Sequence, residues 1–459
     1  MRLYKILPTV FLFVALTALA HATDARSNIV VMVTLDGLAA YYFDDPKAEM
    51  PNIHALATAG AHAKSMKAVA PSVTWPNHTT LVTGVTPAVH GVVGNNYYDR
   101  AKKAQITLIF DPVLDKEQIV KVPTIYDVAK SSGLKTAALN WPASRNARNL
   151  DWTTPEVHSA DLYRKCTTPA LLDLCRDNGF SLVDEMFPDG VRKPEYETDA
   201  INLRVLKLLI ANKRPNLVLL HIGNSDHVQH EKGPQSPEAY AAIKEADAEV
   251  GQLWQELQKD FPGHATLFVV SDHGFSPIST MLFPNVVLRK AGLVKVTGKK
   301  VSSGSVHIVV QAGTCMVYVL DQKHRDAIMN KVDKAFKNQK GISKIVHTDE
   351  LKKYGVGNPK DDPNAPDMIL FADYGATFGD TAGGDLPFEE KPEGRGTHGH
   401  NPEIPQLHAT FVACGRGIKP GTTLGEIENV SVAPTVVKLL NVKLPGTTGR
   451  PLDEILDQQ

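Results

Sequence analysis

The chain has 459 residues and 43% of them are hydrophobic, which is enough for a large buried core or about two to three domain-sized units. Its 49 basic residues are balanced by 50 acidic ones. This balance excludes a strong overall positive field, so we expect no binding to a nucleic-acid duplex or an anionic membrane. Any phosphate group that the protein handles must be bound by a local site.

The first residues have the pattern of a secretory signal peptide. Arg2 and Lys5 give a positive start, residues 6–20 are largely apolar, and an A-x-A cleavage site ends at Ala22. A membrane-spanning helix needs about 20 apolar residues, so this run is too short, and no later segment is long enough either. We therefore predict a cleaved signal peptide at 1–22 and a periplasmic or secreted mature protein without a transmembrane segment.

Apolar segments with the length of buried strands alternate along the chain with helical patterns. This alternation predicts an α/β fold in which a largely parallel sheet is covered by helices. The predicted strands are Ile29–Leu35, Lys135–Leu139, Leu217–His221, Thr266–Val270 and Thr410–Ala413. The predicted helices are Pro51–Ala59, one starting at Pro76, Ile125–Ser131, Asp199–Ala211, Pro237–Lys259 and Val432–Leu440.

One stretch interrupts this alternation. It contains strand patterns at Val306–Val310 and Cys315–Leu320, a helical pattern at His324–Lys337, and then a loop rich in Gly, Asp and Pro. We predict that residues 282–391 form a smaller inserted α+β domain. The catalytic core is then formed by residues 27–281 and 392–459.

Polar residues typical of metal sites follow the predicted strands. They are Asp36, Asp226 and His230, Asp272 and His273, and, in a late loop, His398. Ligands of open α/β sheets bind beyond the carboxyl ends of the strands, so these side chains are expected along one edge. Each pair alone would fit a turn, a helix cap or a solvated face. Three carboxylates and three imidazoles together favour zinc, and their number favours two ions.

The segment from Pro71 to Thr80 offers a nucleophile. Pro76 suits the first turn of a helix, whose free N–H groups would open toward Thr74 and favour a phosphate there. Coordination to zinc lowers the pKa of a hydroxyl group enough for it to attack phosphorus. A simple N-cap role for Thr74 would be preferred if the sequence had no metal ligands elsewhere.

A series of short motifs lies in a specific order along the chain. The motifs are Met50-Pro51-Asn52-Ile53, Thr74-Trp75-Pro76-Asn77-His78, Leu81-Val82-Thr83-Gly84, His90-Gly91, Asn95-Asn96-Tyr97-Tyr98-Asp99, Trp141-Pro142, Asp226-x-x-x-His230, Ser271-Asp272-His273-Gly274 and Thr397-His398-Gly399. This series resembles the nucleotide pyrophosphatase/phosphodiesterase (type I phosphodiesterase) family of the alkaline phosphatase superfamily. The resemblance covers most of the mature chain outside the predicted insert and implies an alkaline-phosphatase-like fold.

The resemblance also implies a role for each site residue. The ligands of one zinc ion, which activates water, would be Asp226, His230 and His398. The ligands of the other, which holds the nucleophile, would be Asp36, Thr74, Asp272 and His273. Asn95 matches an asparagine that binds a phosphoryl oxygen, and Trp75 stands where the family has an aromatic residue beside the organic group, with core packing as its alternative.

Other histidines complicate this assignment. His400 follows the Thr397-His398-Gly399 motif and rivals His398 as a ligand, but His398 occupies the motif position and is preferred. His227 should point away from the metals, and we interpret His78 and His90 as structural.

The implied activity is that of a secreted two-zinc phosphodiesterase or nucleotide pyrophosphatase that forms a phospho-threonine intermediate on Thr74. Its substrate would be a small phosphate ester, either a nucleotide or a phospholipid-type diester. Residues 144–156 contain no tyrosine to stack on a base, which leaves a nucleotide preference open, and the nucleophile segment has no arginine, which favours diesters. The alternatives are a phosphonoacetate hydrolase, a phosphomonoesterase of the same superfamily, and a phosphate-binding protein with a degenerate site.

The four cysteines are too few for a disulfide scaffold. Cys166 and Cys175 enclose a short loop and are predicted to pair in an oxidising compartment. Cys315 and Cys414 lie in apolar strand patterns, where buried thiols are the usual state, and a bond between them is left open.

Overall fold

The computed structural model describes residues 27–111, 113–390 and 394–457. The predicted signal peptide at 1–22 lies outside the described residues. Within the described ranges, none of the helices combines the length and the apolar character that crossing a membrane requires.

An eight-stranded sheet forms the centre of the fold. From edge to edge its strands are Thr422–Glu428, Ala61–Lys67, Phe411–Gly415, Ala265–Val270, Ile29–Leu35, Leu217–Ile222, Thr136–Trp141 and Trp152–Pro155. Neighbouring strands are parallel, except that Phe411–Gly415 runs antiparallel to both of its neighbours. The predicted α/β fold with a largely parallel sheet is confirmed.

The central strands are continuous apolar runs because both faces of the sheet are covered. Every residue of Ile29–Leu35 and of Leu217–Ile222 is buried. Alternate residues of the first strand belong to different hydrophobic clusters: Val31 packs with the helix Glu195–Lys213, and Met32 packs with the helix Val432–Leu439.

Helices of very different lengths flank the sheet. The α-helices are Tyr41–Asp44, Pro51–Ala59, Thr74–Thr83, Pro87–His90, Lys116–Ile119, Ile125–Ser131, Ala160–Cys166, Pro169–Asp177, Leu182–Met186, Glu195–Lys213, Asn224–Lys232, Pro237–Asp260, Pro284–Lys290, Arg325–Phe336 and Val432–Leu439. Short 3-10 helices are Pro188–Gly190, Gln322–His324, Leu351–Tyr354, Pro405–Leu407, Asn429–Ser431 and Asp453–Ile455. The helix predicted to start at Pro76 begins at Thr74, so Pro76 lies in its first turn.

A second, antiparallel sheet lies within the predicted insert. Its order is Val306–Gln311, Thr314–Val319, Met368–Ala372 and Ile342–His347. The helix Arg325–Phe336 packs against it through a separate hydrophobic cluster. The exact boundaries at 282 and 391 stay a prediction. Smaller sheets pair Asn96–Asp99 with Ala104–Thr107, Val294–Thr297 with Lys300–Gly304, Ser276–Pro277 with Gly396–Thr397, and Thr280–Leu282 with both Ala376–Phe378 and Phe388–Glu390.

The cysteines do not form the predicted Cys166–Cys175 bond. All four are buried free thiols. Cys166 ends the helix Ala160–Cys166, whereas Cys175 packs into the hydrophobic cluster beneath the sheet. Burial raises the pKa of Cys175 to about 11, which keeps it protonated. The short spacing of the two cysteines suggested a disulfide bond, but they belong to two separately packed helices and stay free thiols.

A buried carboxylate joins the long helix Pro237–Asp260 to the start of the helix Pro51–Ala59. Asp247 accepts hydrogen bonds from the backbone N–H of Asn52 at 3.2 Å, from its side-chain amide at 2.8 Å, and from the backbone N–H of Ile53 at 2.8 Å. The two backbone donors are free N–H groups of a helix N-terminus, which attract negative charge.

We expect Asp247→Ala to lower the free energy of unfolding by about 2–4 kcal/mol, because buried donors would lose their acceptor. Unfolding in urea measures this change. The matched control is Asp326→Ala, since the Asp326 side chain is 96% exposed and its ion pair with Arg325 should contribute little. Equal effects of both substitutions would contradict the assigned role of Asp247.

Candidate metal centre

Three adjacent strands of the main sheet lead into carboxylates. Asp36 directly follows the strand Ile29–Leu35, and Asp272 lies two residues after Ala265–Val270. Asp226 lies in the first turn of the helix that follows Leu217–Ile222. Because these strands are parallel neighbours, the three side chains meet at one edge of the sheet.

The carboxylates and imidazoles form two groups that could each hold a metal ion. The groups are Asp36, Asp272 and His273, and Asp226, His273 and His398. In the first, His273 Nε2 lies 3.3 Å from Asp36 Oδ1 and 3.1 Å from Asp272 Oδ2. In the second, His398 Nε2 lies 3.6 Å from Asp226 Oδ1. His230 extends the second group, since its Nε2 lies 3.3 Å from Asp226 Oδ2.

Several of these ligand atoms are buried without a hydrogen-bond partner in the described structure. They are Asp36 Oδ1, Asp226 Oδ1, Asp272 Oδ2 and His273 Nε2. A buried, unpaired polar atom is costly, and native proteins rarely leave one unsatisfied. The oxygen and imidazole donors suit zinc. The side chains therefore fit divalent cations.

The electrostatics of the site agree with this fit. Burial raises the pKa of Asp36 well above its usual value, and Asp272 and Asp226 add to the effect. Burial also raises the pKa of Asp272 to about 7, again with a contribution from Asp226. Burial and neighbouring imidazoles hold the pKa values of His273 and His398 well below the usual range, so both rings are neutral, as a metal ligand must be.

The three imidazoles are oriented in the same way. In each ring Nδ1 donates a hydrogen bond to a backbone carbonyl group, which leaves Nε2 to face the carboxylates. The pairs are His230 with Gly396 at 3.0 Å, His273 with Gly274 at 3.2 Å, and His398 with Ser72 at 3.1 Å. The rings of His273 and His398 also stack, with centroids 3.7 Å apart.

Thr74 and Asn95 line a cavity of about 400 Å³ together with four of these ligands, namely Asp36, Asp226, His230 and His398. Thr74 is the first residue of its helix, and Val73 before it is extended. The backbone N–H of Trp75 donates to Asn95 Oδ1 at 3.0 Å. The sequence had suggested that this N–H group is free to bind a phosphate, but the hydrogen bond to Asn95 occupies it. The same bond fixes Asn95 and leaves its Nδ2 group as a donor beside Thr74.

The predicted insert also contacts the site. The backbone N–H of Asn95 donates to Gln311 Oε1 at 3.0 Å, and the N–H of Gly313 donates to the carbonyl of His398 at 2.9 Å. Gly399 has a φ of +84°, and a Cβ there would lie 2.3 Å from the Gln311 carbonyl oxygen. The glycine of the Thr397-His398-Gly399 motif thus lets the insert approach the late loop closely.

The other histidines take structural places. His400 is fully buried against the insert, donates from Nε2 to the carbonyl of Ala376 at 2.7 Å, and belongs to neither group. His78 hydrogen-bonds the carbonyl of Thr74 at 2.9 Å, and His90 contacts the Thr80 hydroxyl at 3.1 Å. His227 lines the cavity but belongs to neither group.

Trp75 is only 1% exposed and packs in a small hydrophobic cluster with Val92 and Val93. Its indole Nε1 donates to Glu156 Oε2 at 2.7 Å. It does not belong to the residues that line the cavity. Of the two interpretations of Trp75, the packing agrees with the structural one.

One wall of the cavity was not expected from the sequence. It contains Glu156, His158, Arg192 and Glu195. Arg192 forms a two-pronged ion pair with Glu195, with one N–O distance of 3.0 Å. Glu156 directly follows the edge strand Trp152–Pro155. The search for polar residues just beyond strand ends, which identified the metal ligands, would also have identified Glu156 if the sequence had revealed that strand.

Comparison with known proteins relates this site to a family. Residues 30–401 match the family described as type I phosphodiesterase/nucleotide pyrophosphatase. The chain belongs to this family. Venom phosphodiesterase of Naja atra is 27% identical over 431 residues, covering 90% of this chain and 44% of that protein. Ectonucleotide pyrophosphatase/phosphodiesterase family member 3 of Rattus norvegicus is 23% identical over 430 residues, covering 90% and 42%.

Solved structures support the fold of this type I phosphodiesterase/nucleotide pyrophosphatase family member. Human ectonucleotide pyrophosphatase/phosphodiesterase 5 superposes with a TM-score of 0.70 at 18% identity, covering 94% of this chain and 100% of that one. An inactive form of the murine protein in complex with AMP gives a TM-score of 0.67, also at 18% identity and with coverage of 94% and 100%. The chain spans less than half the length of the curated relatives it matches.

We predict that zinc binding at pH 6 releases about one proton or more. The pKa of Asp272, raised by burial to about 7, keeps a proton on this carboxyl group at that pH, whereas metal binding requires the ionised form. The neutral rings of His273 and His398 release none, so zinc affinity should rise as the pH increases from about 5 to 8. Calorimetry in buffers of different ionisation enthalpy measures the release. Zinc binding without proton release would contradict this assignment, and Asp272→Asn should bind zinc more weakly and release fewer protons.

Proposed function

We propose that the protein is a secreted two-zinc phosphodiesterase, similar to nucleotide pyrophosphatases, in which Thr74 is the nucleophile. The observation that carries the proposal is the shared cavity. Thr74, the first residue of its helix, lines the same cavity as Asp36 of the first metal-binding group and Asp226 and His398 of the second.

In this proposal, one zinc ion is held by Asp36, Thr74, Asp272 and His273, and the other by Asp226, His230 and His398. When bound, such ions lower the pKa of coordinated hydroxyl groups and neutralise charge on the phosphoryl oxygens. The unpaired buried atoms of these residues support the assignment. His273 belongs to both geometric groups, and the proposal assigns it to the ion that Asp36 and Asp272 would hold.

The protein's own residues carry out a two-step displacement. The Thr74 hydroxyl gives up its proton as its oxygen attacks phosphorus. The bond between phosphorus and the leaving group breaks, the leaving group takes up a proton, and a phospho-threonine diester remains. Asn95, held by its hydrogen bond from Trp75, donates its Nδ2 protons to a phosphoryl oxygen. Water then attacks phosphorus from the opposite side, and the departing Thr74 oxygen regains its proton.

The compartment and substrate class belong to the same proposal. The predicted signal peptide at 1–22 and the names of the venom and ecto-type relatives support a location outside the cytoplasm. The AMP complex of the murine relative supports a small nucleotide-type ester as substrate, and phospholipid-type diesters fit the same chemistry. A phosphate ester could occupy the cavity of about 400 Å³ together with part of its organic group.

We expect Thr74→Ala to lower kcat for a diester by about a thousandfold or more, because the attacking oxygen is lost while the other metal ligands remain. Thr74→Ser should keep part of the activity, since it retains a hydroxyl group. Metal analysis of each variant is the control, and a chelator should abolish wild-type turnover until zinc is added back. Near wild-type turnover by Thr74→Ala would point to direct attack by water.

We also expect kcat/KM for bis-nitrophenyl phosphate to exceed that for nitrophenyl phosphate by about tenfold or more. A monoester dianion brings one more negative charge, and Arg192 is the only Lys or Arg side chain among the described residues that line the cavity. Its charge is already paired with Glu195. The insert contributes Val310, Gln311 and Ala312 to the lining, none of them cationic. A faster monoester reaction under matched conditions would identify the protein as a phosphatase.

A further inference from the structure

Glu156 holds an unusual place beside the nucleophile. It follows the edge strand Trp152–Pro155, is partly buried, and lines the cavity together with Thr74 and Asn95. Its Oε2 accepts a 2.7 Å hydrogen bond from the indole of Trp75, the residue next to Thr74. Because the tryptophan is buried in a hydrophobic cluster, the carboxylate is held in a fixed position.

Glu156 forms no ion pair with the other described side chains of this wall, although the charge of Arg192 acts on it and helps to lower its pKa. Arg192, the nearby cation, forms its two-pronged pair with Glu195. The hydrogen-bond partner of Glu156 is a neutral indole, and the lining residues Asn95 and Asn140 are neutral as well. Where Glu156 is ionised, a phosphate in the cavity therefore meets metal ligands on one side and, on another, two carboxylates with a single guanidinium group.

We propose that Glu156 is a specificity-determining residue that disfavours dianionic phosphate monoesters relative to monoanionic diesters at the Thr74 site. The proposal rests on the function proposed above. Both substrates present one phosphorus atom to Thr74, but the monoester carries an additional charge on an oxygen where the diester carries an uncharged ester oxygen. Coulomb repulsion from a fixed carboxylate in a partly desolvated cavity acts mainly on that additional charge.

The ionisation of Glu156 depends on several opposing influences. Burial raises its pKa to about 8 and the charges of Glu195 and Asp272 add to this effect, whereas the hydrogen bond from Trp75 and the charge of Arg192 act in the opposite direction. Divalent cations held by Asp36 and Asp272 would favour the ionised form further. Measurements at pH 8.5 therefore test the charged carboxylate.

The test compares wild-type protein with Glu156→Gln, which keeps the shape and an acceptor for the Trp75 indole but removes the charge. At pH 8.5 we expect kcat/KM for nitrophenyl phosphate to rise by about tenfold, and that for bis-nitrophenyl phosphate to change by less than about threefold. Calorimetry of the zinc-loaded protein should show inorganic phosphate binding about tenfold more tightly to the variant. This second readout does not depend on turnover.

Two further variants make the result specific. Glu249→Gln removes a buried carboxylate outside the cavity and should leave both the monoester-to-diester ratio and phosphate binding unchanged. Glu156→Ala removes the charge together with the indole contact, and its ratio must shift in the same direction as that of Glu156→Gln. Thermal unfolding of each variant confirms that it is folded.

The outcomes separate this proposal from the one on which it rests. An active wild-type enzyme whose ratio and phosphate affinity do not change in either Glu156 variant would overturn the role of Glu156 and leave the phosphodiesterase function intact. A wild-type protein without hydrolytic activity would overturn the function, and phosphate binding would still decide whether Glu156 repels dianions.

Discussion

Mutual repulsion among three carboxylates, two of them buried and one partly exposed, is the constraint around which this site is organised. Asp36, Asp226 and Asp272 converge because three parallel strands end side by side, and no lysine or arginine among the described residues pairs with them. Such a cluster is unfavourable for folding unless cations occupy it or bound protons neutralise part of its charge. Functional sites often retain such an unfavourable cluster of like charges, because the ligands that they bind are the ones that neutralise it.

The surroundings of the carboxylates limit how the site can relax. Backbone carbonyl groups fix the three imidazoles, and Asp199 accepts hydrogen bonds from the N–H groups of Gly223 and Asn224 at the start of the helix that carries Asp226. The site is therefore preorganised by main-chain contacts at helix and strand ends, rather than by flexible side chains.

The sequence predicted those features that depend on local patterns. Ile29–Leu35 is a continuous apolar run, as a strand buried on both faces must be, and its observed bounds agree with the predicted ones. Asp36 and Asp272 could be identified because they lie just beyond such runs. Pro76 marked the first turn of the nucleophile helix, although the helix itself begins two residues earlier, at Thr74.

Features that depend on distant contacts escaped prediction. The strand Trp152–Pro155 is short and contains two threonines and a proline, so it lacks the apolar run or alternation that reveals a strand, and Glu156 was missed with it. Arg192 reaches the cavity from a loop, and Gln311 holds Asn95 from a separate sheet. No spacing rule connects residues so far apart in the chain.

The order of the ligands along the chain also has a consequence for biosynthesis. The groups combine Asp36, near the start of the described chain, with His398, whose loop is held in turn by Gln311 and Gly313 of the predicted insert. During synthesis, the two metal-binding groups are therefore not both complete until most of the chain has been made and the second sheet has formed. The group of Asp36, Asp272 and His273 can form earlier, but occupation of both groups would be completed only late in folding, in the compartment where folding finishes.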